Sequence, residues 1–416
     1  MKTNALKFMV ILLWGGIFFL AMNLSAGVWR HGTPLNTPRV GAASVVWDSC
    51  IYVFGGKNLT NNTVLNTVER FDPGTNMWEA VESFIIPRHN ASAVVFQDYI
   101  FLVGGRDASN DVLKKVEYYL PAQNEWYYAQ EMRDRREFHS VAVFNNRIYA
   151  IGGAADDHSF IEEIEWYDNP THDWEKANFD IPEKRVAFFN AVVRDTFYMF
   201  GGVHYGLKDE LFVKPPLDSA WLIGDPLRDA RAYGATAVLG DSIFIIGGQL
   251  ISGATETVEI YHTRKKDYSI GKSMPTARMG MTAVTLDNEI FVIGGATGPN
   301  QSLSLVEIYG KPPTAIETQD KRLLIRSAEL QGFPNPFNGS INLNVRIYSR
   351  QVVNLDVYDI QGRLIQKIYS GILDLGPHRF VWNANNAAES KVSSGIYFAT
   401  LRTGNFTRSV KLFYVK

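Results

Sequence analysis
The 416-residue sequence has a single cysteine, Cys50. No internal disulfide can form, so stability has to come from packing. Cys50 opens an apolar strand and reads as core. Histidines number eight, scattered without metal-ligand spacing. No His-Glu-x-x-His, Gly-x-Ser-x-Gly or phosphate-cradling glycine loop is present. No metal and no cofactor are therefore expected. The net charge of −2 removes any global nucleic-acid signature, and no nucleic-acid partner is expected. The charge is divided unevenly: residues 320–416 carry 13 Lys+Arg against 6 Asp+Glu, leaving 28 against 37 in residues 1–319. Long apolar runs are also scarce. The run 8–20 is short for a membrane span. Lys2 and Lys7 precede it and Ser25, Ala26 and Gly27 follow, so residues 1–26 read as a signal peptide. No membrane span is expected after its removal.

What is present is a repeat. Six apolar stretches end in paired glycines: Gly55-Gly56, Gly104-Gly105, Gly152-Gly153, Gly201-Gly202, Gly247-Gly248 and Gly294-Gly295. Successive first glycines stand 49, 48, 49, 46 and 47 residues apart, a period that means a repeat architecture. Sixteen residues before each pair lies an arginine: Arg39, Arg88, Arg136, Arg185, Arg231 and Arg278. Nine to fourteen residues after each first glycine lies a glutamate: Glu69, Glu117, Glu165, Glu210, Glu259 and Glu307. Two residues further on stands an aromatic: Phe71, Tyr119, Tyr167, Phe212, Tyr261 and Tyr309. A second aromatic follows in five units, at Trp78, Trp126, Trp174, Trp221 and Tyr268. Runs such as Phe101-Leu102-Val103 and Phe244-Ile245-Ile246 suit strands buried on both faces.

This pattern resembles the kelch repeat of β-propellers. The runs that carry it are Ile51-Tyr52-Val53-Phe54-Gly55-Gly56, Val68-Glu69-Arg70-Phe71-Asp72 and Asn76-Met77-Trp78. The resemblance implies one four-stranded blade per repeat, hence an all-β fold with a six-bladed propeller over residues 27–311. The last repeat lacks its second aromatic. Trp29 precedes Arg39 by ten residues, the usual interval from that aromatic to the next arginine, so the N-terminal strand is expected to close the ring. The repeated Arg and Glu are expected to form structural pairs that fix blade register.

Positions that differ between repeats carry more functional information. After the glycine pairs come Lys57, Arg106-Asp107, Asp156-Asp157-His158, His204-Tyr205 and Gln249. After the arginines come His89-Asn90, Phe138-His139 and Tyr233. In kelch relatives these two loop sets build one face of the disc. Lys57, His89, Asn90, Arg106, Asp107, His139, His204, Tyr205, Tyr233 and Gln249 are the candidate ligand-binding residues.

Residues 312–332, opened by Pro312-Pro313, read as a linker that includes a possible first strand of the next domain. Residues 333–416 read as short strands separated by turns, a small immunoglobulin-like β-sandwich. The motifs Asn335-Pro336-Phe337-Asn338, Asp359-Ile360-Gln361-Gly362-Arg363, Val381-Trp382-Asn383 and Ser394-Gly395-Ile396-Tyr397-Phe398 resemble the type A sorting domain of the type IX (Por) secretion system. That resemblance implies export through the periplasm to the cell surface or the medium, with the type IX machinery as partner.

The leading expectation is a monomeric, non-enzymatic binding module for a glycan or protein. The first alternative is an enzyme of the sialic-acid mutarotase type, with Asp107, Glu137 or Asp209 as acid/base candidates. A structural adhesin is the second. The copper chemistry of some kelch propellers needs a cysteine cross-linked to a tyrosine, which Cys50, in a repeated core strand, does not suggest.

Overall fold
The computed structural model describes residues 27–416 except 169–172, 217–219, 311–327, 348–349, 389 and 404–405. The expected signal peptide and most of the linker lie outside the described residues. Every regular element described is a strand.

Six four-stranded antiparallel sheets form the propeller. From the inside out, blade one is Ala43–Trp47, Cys50–Phe54, Val68–Asp72 and Met77–Val81. Blade two is Ser92–Phe96, Tyr99–Val103, Val116–Leu120 and Glu125–Tyr128. Blade three is Ser140–Phe144, Arg147–Ile151, Glu165–Tyr167 and Glu175–Lys176. Blade four is Phe189–Val193, Thr196–Val203, Leu207–Lys214 and Leu222–Gly224. Blade five is Ala235–Leu239, Ser242–Ile246, Val258–His262 and Asp267–Ile270. Blade six is Thr282–Leu286, Glu289–Ile293, Val306–Gly310 and, from the other end of the sequence, Val28–His31. The second strands are apolar without alternation because blades cover both their faces; Cys50–Phe54 is buried throughout. Inner hairpins turn on paired left-handed residues such as Asn145-Asn146 and Asp287-Asn288, whose twist matches the strands they join.

The glycine pairs are where blades touch. A Cβ on Gly55 would lie 2.5 Å from the carbonyl oxygen of Arg88 in the next blade, and Gly56 N–H donates to that same oxygen at 3.0 Å. The relation recurs around the disc and closes from Gly294-Gly295 to Arg39. Both glycines of each pair have positive φ, so the position excludes a side chain twice over.

In five blades the arginine and glutamate pair in the interior: Arg39–Glu69 at 2.5 Å, Arg88–Glu117, Arg136–Glu165 at 2.8 Å, Arg231–Glu259 at 2.8 Å and Arg278–Glu307 at 2.9 Å. The glutamates also hold the loops that lead to their arginines. Glu69 accepts the N–H groups of Asn36 and Thr37, and Glu165 those of Arg133 and Asp134. Blade four departs from the expectation. The residue two before the first glycine faces Glu69, Glu117, Glu165, Glu259 and Glu307 elsewhere, but Met199 faces Phe212. Phe212, expected as the repeated aromatic, therefore stands in the glutamate's place, with the Arg185 guanidinium 4.7 Å from its ring centre. Lys214 takes the aromatic's place opposite Phe197. Glu210 lies outside the register, half-exposed and 3.4 Å from Arg185, whose nearer carboxylate is Glu183. The spacing of nine residues from Gly201 to Glu210, against twelve or more elsewhere, is the trace of this shift.

The C-terminal segment is a separate two-sheet sandwich. Ala328–Phe333, Ile341–Ile347 and Gly376–Trp382 form one sheet. Leu364–Leu373, Gln351–Asp359, Gly395–Thr403 and Phe406–Tyr414 form the other. Leu343, Val345, Val353, Leu355, Val357 and Trp382 share its core. Its motif residues are fold-holding groups. Asn335 bonds the last strand at Lys411 O and Phe413 N, Phe337 packs on Trp382 and Tyr414, and Asp359 accepts the Gln361 and Arg363 N–H groups. A polar seam, with Arg408–Asp48 at 2.6 Å and Arg70–Glu329 at 3.4 Å, joins the sandwich to blade one.

Candidate functional site
The residue two past each repeated arginine has positive φ in every blade: Gly41, Asn90, Phe138, Ala187, Tyr233 and Gly280. Their peptide groups form a closed chain of six hydrogen bonds. Asn90 N–H donates to Gly41 O, Phe138 to Asn90, Ala187 to Phe138, Tyr233 to Ala187, Gly280 to Tyr233 and Gly41 to Gly280, at 2.7 to 3.1 Å. The next residues, among them Ala42, Ala91, Phe188, Gly234 and Met281, line the central channel, so this ring rims the channel mouth. The cavity behind it is about 230 Å³, walled by small, hydroxyl and apolar side chains and Asn190. Phe138 and Tyr233 meet edge to face at the rim, their ring centres 5.4 Å apart.

Beside these rings lies a polar cluster. Arg106, at the start of a blade-two loop, donates through Nε (2.9 Å) and Nη2 (2.6 Å) to Glu137 Oε1 and through Nη1 to Asn110 O. Asn90 Nδ2 donates to Glu137 Oε2 at 3.0 Å. Arg106 and Glu137 are both buried. The hydrogen bond to Glu137 holds the Arg106 guanidinium above its ordinary range, while burial lowers the His89 imidazole and raises the Tyr233 phenol. His89 pairs with Arg106 through the backbone. The other blades place Lys57, Ala154, Val203, Gln249 and Ala296 at the position of Arg106, and Val40, His89, Val186, Ala232 and Met279 at the position of Glu137. None of the residues equivalent to Glu137 is a carboxylate, so the Arg106–Glu137 ion pair between blades two and three has no counterpart at the other junctions.

The remaining candidates separate. Lys57 and Gln249 are half-buried and tied through their backbones to Val40 and Ala232. Asp107 closes its own loop, accepting the Ser109 and Asp111 N–H groups. Asp209 lies in the third strand of blade four. None of Asp107, Glu137 and Asp209 is among the residues that wall the channel cavity. His204 and Tyr205 form a second cluster, with Phe160, at the tip of the blade-four hairpin.

His139 is not on the loop face. It occupies the plug position held elsewhere by Ala42, Ala91, Phe188, Gly234 and Met281, against Gly104 and Gly153. It is buried with neither ring nitrogen hydrogen-bonded. Burial, with the Arg136 charge adding to it, drives its pKa down to about 3. Glu137, considered from sequence only as an acid/base, is instead the anchor of the polar cluster; its contrast with Val40, Val186, Ala232 and Met279 at the same repeat position was the available signal.

Comparison with known proteins fits this geometry. Residues 19–153 match the KLHDC2/KLHL20/DRC7 Kelch-repeats domain, and residues 135–178 and 277–309 match the Kelch motif. Residues 331–416 match the secretion system C-terminal sorting domain. Kelch repeat-containing protein kel-10 of Caenorhabditis elegans is 33% identical over 130 residues, 30% of this chain and 22% of that protein. Human Kelch-like protein 23 is 32% identical over 104 residues, 24% of this chain and 18% of that protein. Alpha-scruin of Limulus polyphemus is 29% identical over 28% of this chain and 14% of that protein. The matches thus span about a fifth or less of those relatives' lengths. The solved structure titled "Structure of YjhT" shares the fold at TM-score 0.58 and 16% identity, covering 67% of this chain and 96% of that one. The chain carries kelch repeats built into a β-propeller, followed by a secretion-system sorting domain. The sorting domain marks the chain for the cell surface or the exterior, with the type IX machinery as its partner.

Proposed function
We propose that the protein is an exported propeller that binds a ligand, a glycan or another protein, across the channel-mouth face. Asn90, His89 and Tyr233 form the centre of that contact, held in place by the buried Arg106–Glu137 pair. The Arg106–Glu137 pair carries the reading. The repeated pairs serve blade register, but this one is specific to a single blade junction. A buried ion pair adds little net stability over an apolar pair of the same volume, and apolar residues do occupy this place in other blades. Blade-specific polar groups on a rigid pseudo-symmetric scaffold are where recognition resides. The Phe138 and Tyr233 rings narrow the mouth, so the ligand rests on the face rather than threading the channel. In this reading residues 1–26 are a leader, the route runs through the periplasm, and the product is a monomer.

The test is a glycan array and a surface-protein pull-down with the full chain and the double variant Arg106→Ala/Glu137→Ala, which leaves no orphan charge. Selective binding by the wild type that the double variant loses, with an unchanged melting curve, supports the proposal. Equal binding by both overturns it, and interconversion of sugar anomers by the wild type would replace it with catalysis. Removing residues 328–416 should leave a folded propeller that no longer reaches the medium.

A further inference from the structure
The second cluster on the same face has chemistry of its own. In blade four the second and third strands run on as one hairpin through His204, Tyr205 and Gly206. Tyr205 is 91% exposed at the tip and has φ +52°. A bulky residue in the left-handed region is strained, and most of its ring is given to solvent rather than to packing. Phe160, from the blade-three loop, stands edge-on to both His204 (5.6 Å) and Tyr205 (5.7 Å), and the His204 and Tyr205 ring centres are 4.5 Å apart. Beneath them Glu183 Oε1 meets His204 Nδ1 at 2.9 Å and Lys208 Nζ at 2.8 Å. Burial opposes the Glu183 charge, yet hydrogen bonds from Lys208, His204 and Arg185 hold its pKa down to about 2. The ionised carboxylate engages His204 through Nδ1, which leaves Nε2 for another partner.

We infer that Phe160, His204 and Tyr205 form a carbohydrate platform, on which the apolar face of a neutral pyranose stacks against the Tyr205 ring while its hydroxyls bond His204 Nε2 and the Tyr205 phenol. The inference rests on the ligand-binding reading above and assigns its ligand to polysaccharide. An exposed ring with polar groups at its edge suits a sugar, whose axial C–H bonds meet the negative ring face. A peptide anchor needs an enclosing pocket, and Tyr205 stands clear of one. The cation Lys208 is already paired with Glu183, so the platform offers no free charge for an anionic ligand.

The experiment is native affinity electrophoresis of the full chain in gels containing xyloglucan, galactomannan or laminarin. Wild-type protein should be retarded by at least one, Tyr205→Ala should bind about tenfold more weakly, and Tyr205→Phe should stay within about threefold of wild type. Tyr205 is exposed, so the variants keep the wild-type melting curve. Retardation of Tyr205→Ala equal to wild type, or no retardation of the wild type by any of the three, overturns the platform. Loss in the Arg106→Ala/Glu137→Ala variant alone would leave the mouth reading standing and remove this one; loss in Tyr205→Ala alone would do the reverse.

Discussion

Trp29 lies directly opposite Tyr309 across an antiparallel pair, its ring centre 5.2 Å away. Its indole N–H donates to the carbonyl of Lys272 in blade five at 2.7 Å. The same bond recurs around the disc, from Trp78 to Thr33, Trp126 to Glu82, Trp174 to Gln130 and Trp221 to Asp180, with the Tyr268 hydroxyl on Asp225. The N-terminal strand thus completes both blade six and this ring of inter-blade ties. Deleting residues 27–33 should lower the melting temperature by about 5–10 °C. An unchanged calorimetric transition would show that closure does not need the strand.

The repeated glutamates should divide by register. Glu117 is fully buried, and Glu117→Ala leaves Arg88 unpaired in the interior, which costs about 3–5 kcal/mol. Glu210 is half-exposed and off register, and Glu210→Ala should cost under about 1 kcal/mol. Urea denaturation measures both, and equal losses would contradict the register assigned to blade four.

His139 should make the propeller acid-sensitive. Its folded pKa of about 3 lies below its ordinary 6.5, so the unfolded chain binds the extra proton between those values. Its contribution is fully present above about pH 6.5 and falls with pH toward 3, by at most about 1.4 kcal/mol per pH unit. Phe188 fills the same position in the next blade. His139→Phe should flatten the stability slope between pH 6.5 and 4, as followed by denaturant midpoints; an unaltered slope would assign acid sensitivity elsewhere.

Ala187 holds a left-handed conformation, φ +51°, where the rim has glycine at Gly41 and Gly280. Ala187→Gly relieves roughly 1 kcal/mol of backbone strain and loses part of it again to unfolded-state freedom. A small rise in thermal midpoint, about 1–2 °C, is expected. A fall of several degrees would mean that the alanine methyl matters more to the rim than its backbone does.

The glycine pairs, the arginines and the second aromatic announced six repeats because they are local requirements of each blade and so recur at fixed spacing. The offset from Trp29 to Arg39 foretold the partner strand of Val306–Gly310 by the same logic. In blade four that logic misplaced Glu210 and Phe212, since residue type was matched while hairpin length had changed. The candidate residues after the glycines and arginines differ from blade to blade, as the sequence shows, yet His139 proved to be a plug and Glu137 an anchor. Neither outcome is encoded by neighbours in the chain.

By itself, then, the order of residues determined the number of blades, their strands and the sorting motifs, all of which depend on periods and turn chemistry within about fifty positions. Tertiary structure alone decided which loops meet. The rim of six peptide hydrogen bonds, the Arg106–Glu137 junction and the Phe160–Tyr205 contact join different blades. Their geometry is set by how the disc closes, and a side chain's partner across a blade boundary is fixed by that closure rather than by its place in the repeat.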